Sequence, residues 1–218
     1  MTDDDIHIAI AILREIAQGW ITPYVTELSQ SARDPFRILI ATILSLRTKD
    51  TTTAVAAPRL FALADTPEKM LQLTPRQIEE AIYPVGFYRT KARNILAICR
   101  QLLERYEGRV PADIDELLTL PGVGRKTANL VVTLGYGKPG ICVDTHVHRI
   151  TNRWGYVKTK TPEETEMALR ARLPTVYWPE INDLLVALGQ NICHPTSPRC
   201  SICPLYPYCD RVGVIHSR

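Results

Sequence analysis

Lys126, Asp144 and four cysteines at 193, 200, 203 and 209 are the residues whose types and spacing could do chemistry. Lys126 follows a glycine-rich turn, Pro121-Gly122-Val123-Gly124-Arg125, and stands in the first turn of what reads as a new helix. A lysine there faces the positive end of the helix dipole, so as a stabiliser of that helix it is in the wrong place. As an amine nucleophile it is in a useful one. Eighteen positions on, Val143-Asp144-Thr145-His146 offers a carboxylate able to stabilise developing positive charge or assist a proton transfer. The same side chain suits the N-cap of a helix starting near Thr145, and the two roles are compatible.

The turn before Lys126 has the makings of a phosphate seat. Glycine lets backbone approach a ligand closely, and the N–H groups at a helix start have no intrahelical partners. A nucleotide P-loop needs G-x-x-x-x-G-K-[ST], which Gly124-Arg125-Lys126-Thr127 breaks by placing Arg before Lys. No strand pattern leads into the loop either. A plain helix–helix connection is the other reading of a bare Gly-x-Gly turn.

The cysteines arrive as C-x6-C-x2-C-x5-C within 17 residues rich in proline and without a helical period. A segment of this kind does not fold on apolar burial alone and needs a cross-link. Disulfides conflict with a cytosolic chain, so the four thiolates point to a metal. Zinc sites usually pair two short knuckles, whereas this run has one short spacing and two wide ones; four Cys without His also suit a cubane iron–sulfur cluster. Cys99 and Cys142 lie in apolar contexts and read as core. His146 and His148 read as polar packing or phosphate contacts rather than ligands.

The elements that must position these residues are helical throughout. Residues 6–17 form an amphipathic opener through Ile6, Ile10, Leu13 and Ala17. Pro35 to Leu46 is nearly continuous apolar sequence and reads as a buried central helix. The stretch Ser45-Leu46-Arg47-Thr48-Lys49-Asp50 interrupts it, with Asp50 expected to cap a helix over 51–63. Residues 91–106 are amphipathic, with Ala92, Ile95, Leu96, Cys99, Leu102, Leu103 and Tyr106 inward and Arg93, Arg100 and Arg105 outward. Asp113-x-x-Glu116 opens the helix before the glycine turn, and Thr74 and Thr161 begin capping boxes ahead of proline. Two further helices, about 161–172 and 178–192, lead to the cysteines. The expected class is all-α, with about ten or more helices.

At 218 residues and 45% apolar composition the chain can bury a core in one domain or two small ones. It has no apolar run of about 18 residues to span a membrane. Asp3, Asp4 and Asp5 do not suit a secretory or mitochondrial leader, so the expected compartment is cytosolic. Net charge is only +3, yet it is unevenly spread. Residues 1–34 hold two basic and six acidic side chains and residues 161–192 two and five, whereas 84–110 hold six and two and 121–160 seven and one. The basic excess gathers around the glycine turn, as a groove for a polyanion would require.

LPGVGRKTAN followed by VDTH, with LSLRTKD, GFYRTKARNI and the cysteine spacing, resembles the endonuclease III family of helix-hairpin-helix DNA glycosylases. The resemblance covers most of the chain. It implies two all-α domains flanking a DNA-binding cleft: a six-helix barrel at about 23–137, and a second domain from 1–22 and 138–218 carrying the cluster loop. It implies a base-excision glycosylase and abasic-site lyase for oxidised pyrimidines, acting on double-stranded DNA as a monomer in a prokaryotic cytoplasm, at the nucleoid. Lys126 becomes the Schiff-base nucleophile and Asp144 the catalytic aspartate. Cys193, Cys200, Cys203 and Cys209 become ligands of a 4Fe–4S cluster. Gly122, Val123, Gly124, Arg125 and His146 become DNA contacts. The family usually has Gln where this chain has Arg47, at the position that fills the space left by a flipped nucleotide. Mismatch and adenine glycosylases of the same superfamily are the nearest alternatives; from another class, so is a non-catalytic iron–sulfur DNA-binding module.

Overall fold

The computed structural model describes residues 1–20 and 22–218, and among these there is no β-strand. Twelve α-helices run in the order α1 Asp3–Ala17, α2 Tyr24–Ser31, α3 Pro35–Ser45, α4 Asp50–Leu63, α5 Pro67–Met70, α6 Pro75–Ile82, α7 Tyr88–Tyr106, α8 Ile114–Leu118, α9 Arg125–Leu130, α10 Thr145–Arg153, α11 Pro162–Arg172 and α12 Ile181–Asn191. They gather into two compact units, one of Pro23–Gly140 and one of Met1–Thr22 with Ile141–Arg218. No helix among the described residues is long and apolar enough to cross a membrane.

The Pro23–Gly140 unit is built around α3. Asp34 caps this helix, accepting from the N–H groups of Phe36 and Arg37, and Pro35 takes the first helical position, where a missing N–H costs nothing. Every residue from Ile38 to Leu44 is buried. Each such Leu or Ile contributes about 1.5–3 kcal/mol relative to exposure, which makes α3 the element the others pack upon. The amphipathic helix α7 supplies Ala92, Ile95, Ile98, Cys99 and Leu102 to the same core and leaves Arg93, Arg100 and Arg105 exposed. α9 continues into a π-helical turn, Val131–Gly135, whose Gly135 lies against Pro35: a Cβ there would come within 3.2 Å of the Pro35 Cα. Gly135 is thus a glycine of close helix approach.

In the other unit, α1, α10, α11 and α12 surround Ile6, Ile10, Leu13, Ile150, Leu169, Leu185 and Leu188, with Trp154 and Tyr156 fully buried among them. Thr2 and Asp5 form a complete capping box, so α1 begins at the acidic triplet, three residues before the apolar pattern starts. Asp50 does not cap α4. The helix starts at Asp50 itself after an uncapped Lys49, and both Asp50 carboxylate oxygens accept from the Tyr24 N–H at 3.1 Å. α12 starts at Ile181, not 178, because residues 175–177 form a separate 3-10 turn after Pro174.

Candidate functional site

α8 is capped by Asp113, whose carboxylate accepts from the N–H groups of Asp115 and Glu116. Leu120 and Val123 are buried on either side of the turn, and the Val123 N–H donates to the Leu120 carbonyl at 3.1 Å. Val123 therefore anchors the turn from inside. Gly122 has φ +76°, and a Cβ on it would lie 2.5 Å from Asn94 Nδ2. Only glycine fits both demands. Gly124 is different: its φ is −100°, and a Cβ there would meet nothing within 4 Å. The protein leaves the space over Gly124 open at the start of α9, where Gly124 has no side chain to cap the helix. An anionic oxygen can approach the backbone closely at a glycine that starts a helix in this way. Arg125 and Lys126 occupy the first two positions of α9, both half-buried.

Asp144 ends a buried run, Ile141-Cys142-Val143, and caps α10. Its Oδ1 accepts from the His146 N–H at 2.8 Å and the Val147 N–H at 3.0 Å. These two bonds fix the carboxylate at the start of α10. The same helix reaches the cysteine loop at its other end. Arg149 Nη2 donates to the Cys193 carbonyl at 2.8 Å and lies 3.2 Å from His146 Nδ1. Arg153 Nη1 donates to Cys193 Sγ at 3.3 Å and to the His194 carbonyl at 2.6 Å. Gly189 on α12 makes room for this row, since a Cβ there would lie 2.2 Å from His146 Nδ1. His148 Nδ1 is bonded to Thr165 Oγ1 at 2.7 Å, in keeping with polar packing.

Cys193, Cys200, Cys203 and Cys209 line one cavity, together with Arg153, Leu188 and Tyr206. All six cysteines of the chain are free thiols, and Cys99 and Cys142 are buried in the cores away from that cavity. Fully buried Leu205 ties the loop to the core of its unit. Burial pushes the Cys203 thiol up to about 11 and raises Cys209 as well. Thiolates at these positions need a cation to displace their protons. Four thiols lining one hollow are a donor set that suits a cubane iron–sulfur cluster.

Arg47 is exposed and has φ +52°. Its guanidinium lies 5.7 Å from the ring centre of Phe87, which is 62% exposed and has φ +58°. Phe87 and the buried Lys91 beneath it were not among the residues singled out from sequence. Lys91 had a signal, because it precedes Ile95, Cys99 and Leu102 on the buried stripe of α7. Phe87 had none beyond following a glycine. Lys126 belongs to one unit and Asp144 to the other; the structure brings Arg47 to Phe87, His146 to Arg149, and the four cysteines to one cavity.

Residues 40–175 match the family described as HhH-GPD superfamily base excision DNA repair protein. The chain is 50% identical over 177 residues to endonuclease III of Thermotoga maritima, covering 81% of this chain and 83% of that one. It is 41% identical over 178 residues to endonuclease III of Rickettsia conorii, covering 82% and 85%. Among solved structures, an endonuclease III trapped as a covalent intermediate with DNA, an estranged-adenine complex, superposes with a TM-score of 0.85 at 35% identity over 97% of each chain. A non-covalent endonuclease III–DNA complex also gives 0.85, covering 97% of this chain and 96% of that one. A thermostable thymine-DNA glycosylase shares the fold, with a TM-score of 0.81 at 24% identity over 94% and 95% of the chains.

Proposed function

We infer the roles of individual residues from one premise: the chain belongs to the endonuclease III family of HhH-GPD base excision DNA repair proteins. It is a DNA-binding enzyme, a bifunctional glycosylase and abasic-site lyase for oxidised pyrimidines. Lys126 is its nucleophile and Asp144 its catalytic carboxylate. The observation that carries this assignment is the placement of Lys126 in the first turn of α9, directly after the open, side-chain-free Gly124. A phosphate seated on those N–H groups holds the neighbouring sugar within reach of the amine.

The chemistry follows from the residue types. A lesion leaves the duplex stack at a cost of a few kcal/mol, least for a damaged pair. The neutral Lys126 amine forms a bond to the deoxyribose C1′ as the bond to the base breaks, and the base departs with the electron pair. The C1′–O4′ bond then breaks, O4′ taking up the proton that the nitrogen gives up, and the Schiff base that remains acidifies C2′. A proton leaves C2′, the bond from C3′ to the phosphate oxygen breaks, and the strand is cut 3′ to the lesion. Water then releases the lysine. Asp144, held in place by its two backbone donors, stabilises positive charge building on the sugar and assists the proton transfers.

Gly122, Gly124 and Lys126 supply backbone N–H groups to phosphate, Val123 holds the turn that presents them, and Arg125 and His146 face the backbone of the same substrate. Arg47 enters the duplex at the vacancy of the flipped nucleotide. Its five donors and planar face allow a bond to the orphaned base and stacking beside it. The domains are the six-helix barrel and a second domain built from the two ends of the chain. Cys193, Cys200, Cys203 and Cys209 hold a 4Fe–4S cluster, whose four iron–thiolate bonds cross-link the loop. Arg153 donates to the Cys193 sulfur and steadies that ligand. The substrate is duplex DNA with a damaged base or an abasic site, bound by a monomer in the reducing cytoplasm.

Borohydride added during reaction with an abasic duplex should trap wild-type chain on DNA. Lys126→Gln should abolish trapping and leave binding largely intact, since a single charge is lost. Undiminished trapping in that variant would place the nucleophile elsewhere.

A further inference from the structure

Lys91 is only 6% exposed, which is rare for lysine and demands partners. Its Nζ donates to the Leu44 carbonyl at 2.8 Å, the Leu46 carbonyl at 2.5 Å and Thr48 Oγ1 at 3.1 Å. An ammonium has three donors, and here each has an acceptor. Two of the acceptors are carbonyls at the C-terminal end of α3, where orphan oxygens and the negative end of the dipole favour a cation. The third, Thr48 Oγ1, also accepts from the Gly86 N–H at 3.1 Å. The buried amine therefore joins two loops, residues 46–49 and 83–87, through one hydroxyl.

Those loops carry Arg47 and Phe87. Both are exposed, both have left-handed backbone, and their side chains meet. A left-handed non-glycine residue is strained and persists only where its surroundings hold it. Here the bonds of Leu46 and Thr48 to Lys91 bracket Arg47 on both sides. Gly86 lets the loops close, since a Cβ there would lie 2.5 Å from the Arg47 carbonyl oxygen.

We propose that Lys91 is a positioning residue for base extrusion, fixing the backbone that presents Arg47 to the duplex while taking no part in the chemistry at Lys126. The proposal rests on the reading of Arg47 as the residue that enters the vacated space. It predicts a split between substrates. A paired lesion has to be extruded before Lys126 can reach its sugar, and a preformed abasic site has no base to unpair.

Lys91→Met keeps the apolar stem and removes all three bonds. Single-turnover excision from a duplex with one oxidised pyrimidine should fall by about ten- to a hundred-fold, equivalent to about 1.4–2.8 kcal/mol. Cutting of a preformed abasic site in the same duplex should stay within about three-fold. Thr48→Val removes one acceptor and the link to Gly86, and should show the same selectivity at smaller size; it carries the test if Lys91→Met does not fold. Because Lys91 acts through Arg47, adding Lys91→Met to Arg47→Ala should cost little beyond Arg47→Ala alone. Equal losses on both substrates, no loss on either, or additive losses in the double variant would overturn the proposal. Arg47→Ala by itself distinguishes the two layers. If it spares excision, the reading of Arg47 fails; if it is selective and Lys91→Met is not, only the role of Lys91 fails.

Discussion

Two glycines two positions apart in one turn serve different masters. Gly122 is required by the protein, through φ +76° and the contact with Asn94, whereas a Cβ on Gly124 would meet nothing within 4 Å among the described residues. Gly122→Ala should therefore destabilise the fold by about 1–2 kcal/mol from backbone strain, before the displacement of Asn94 is counted. Gly124→Ala should leave the melting temperature almost unchanged and weaken binding to abasic duplex. Thermal melts and fluorescence anisotropy on the two variants check this; loss of stability in Gly124→Ala with undiminished DNA affinity would remove the phosphate seat. At the same scale, burial lowers the Lys91 ammonium from 10.5 to about 8. The folded chain gives up this proton near pH 8 while the unfolded chain keeps it to about 10.5. The unfolded state then binds more protons, so the stability contributed by Lys91 rises with pH across that window. Lysine side-chain NMR should show one resonance titrating near 8 and absent from Lys91→Met.

Single elements combine roles that the residues alone do not reveal. α10 is capped by Asp144, the carboxylate proposed for the chemistry, and within three turns it delivers Arg149 and Arg153 to Cys193. The cap and the chemistry separate by substitution. Asn caps a helix about as well as Asp, so Asp144→Asn should fold as the parent does and turn over far more slowly. Asp144→Ala should in addition lose about 0.5–2 kcal/mol of stability. A near-wild-type rate in Asp144→Asn would reduce Asp144 to a cap. Much of this scale was legible beforehand. Asp34-Pro35, Thr74-Pro75 and Thr161-Pro162 each start a helix where the capping rules place it, and the apolar run of α3 is buried as its composition requires. Asp50 misled because its carboxylate is taken by Tyr24, a partner 26 residues away that no local rule reveals. The π turn after α9 was hidden for a similar reason: it depends on packing against α3, and Val131-Val132 reads equally well as ordinary helix. Lys91 was overlooked because a lone lysine at the start of an amphipathic pattern is normally solvent-facing, and its acceptors belong to another helix end.

For the molecule as a whole, the glycine hairpin, VDTH and the cysteine spacing were enough to place the chain in its family, since each is a local string whose chemistry needs those residues in that order. The contacts that hold the sites were not legible, because they join residues far apart in sequence: Arg153 to Cys193, Lys91 to Leu44, Gly135 to Pro35. The cysteine loop has two buried residues, Pro198 and Leu205, and two single 3-10 turns. Anaerobically purified protein should accordingly be brown and contain about four irons per chain, the number a cubane needs. Replacing any one of Cys193, Cys200, Cys203 or Cys209 should unfold the loop, whereas Cys99 and Cys142 should be dispensable for iron; zinc in place of iron would refute the assignment. In the proposed reaction one amine, on the first turn of α9, becomes covalently bound to the sugar of the damaged nucleotide. Tandem mass spectrometry of the wild-type chain, reduced with borohydride on an abasic duplex and digested, locates that bond directly. The sugar remnant should lie on Lys126; a remnant on Lys91, Lys138 or the chain's amino terminus would contradict it.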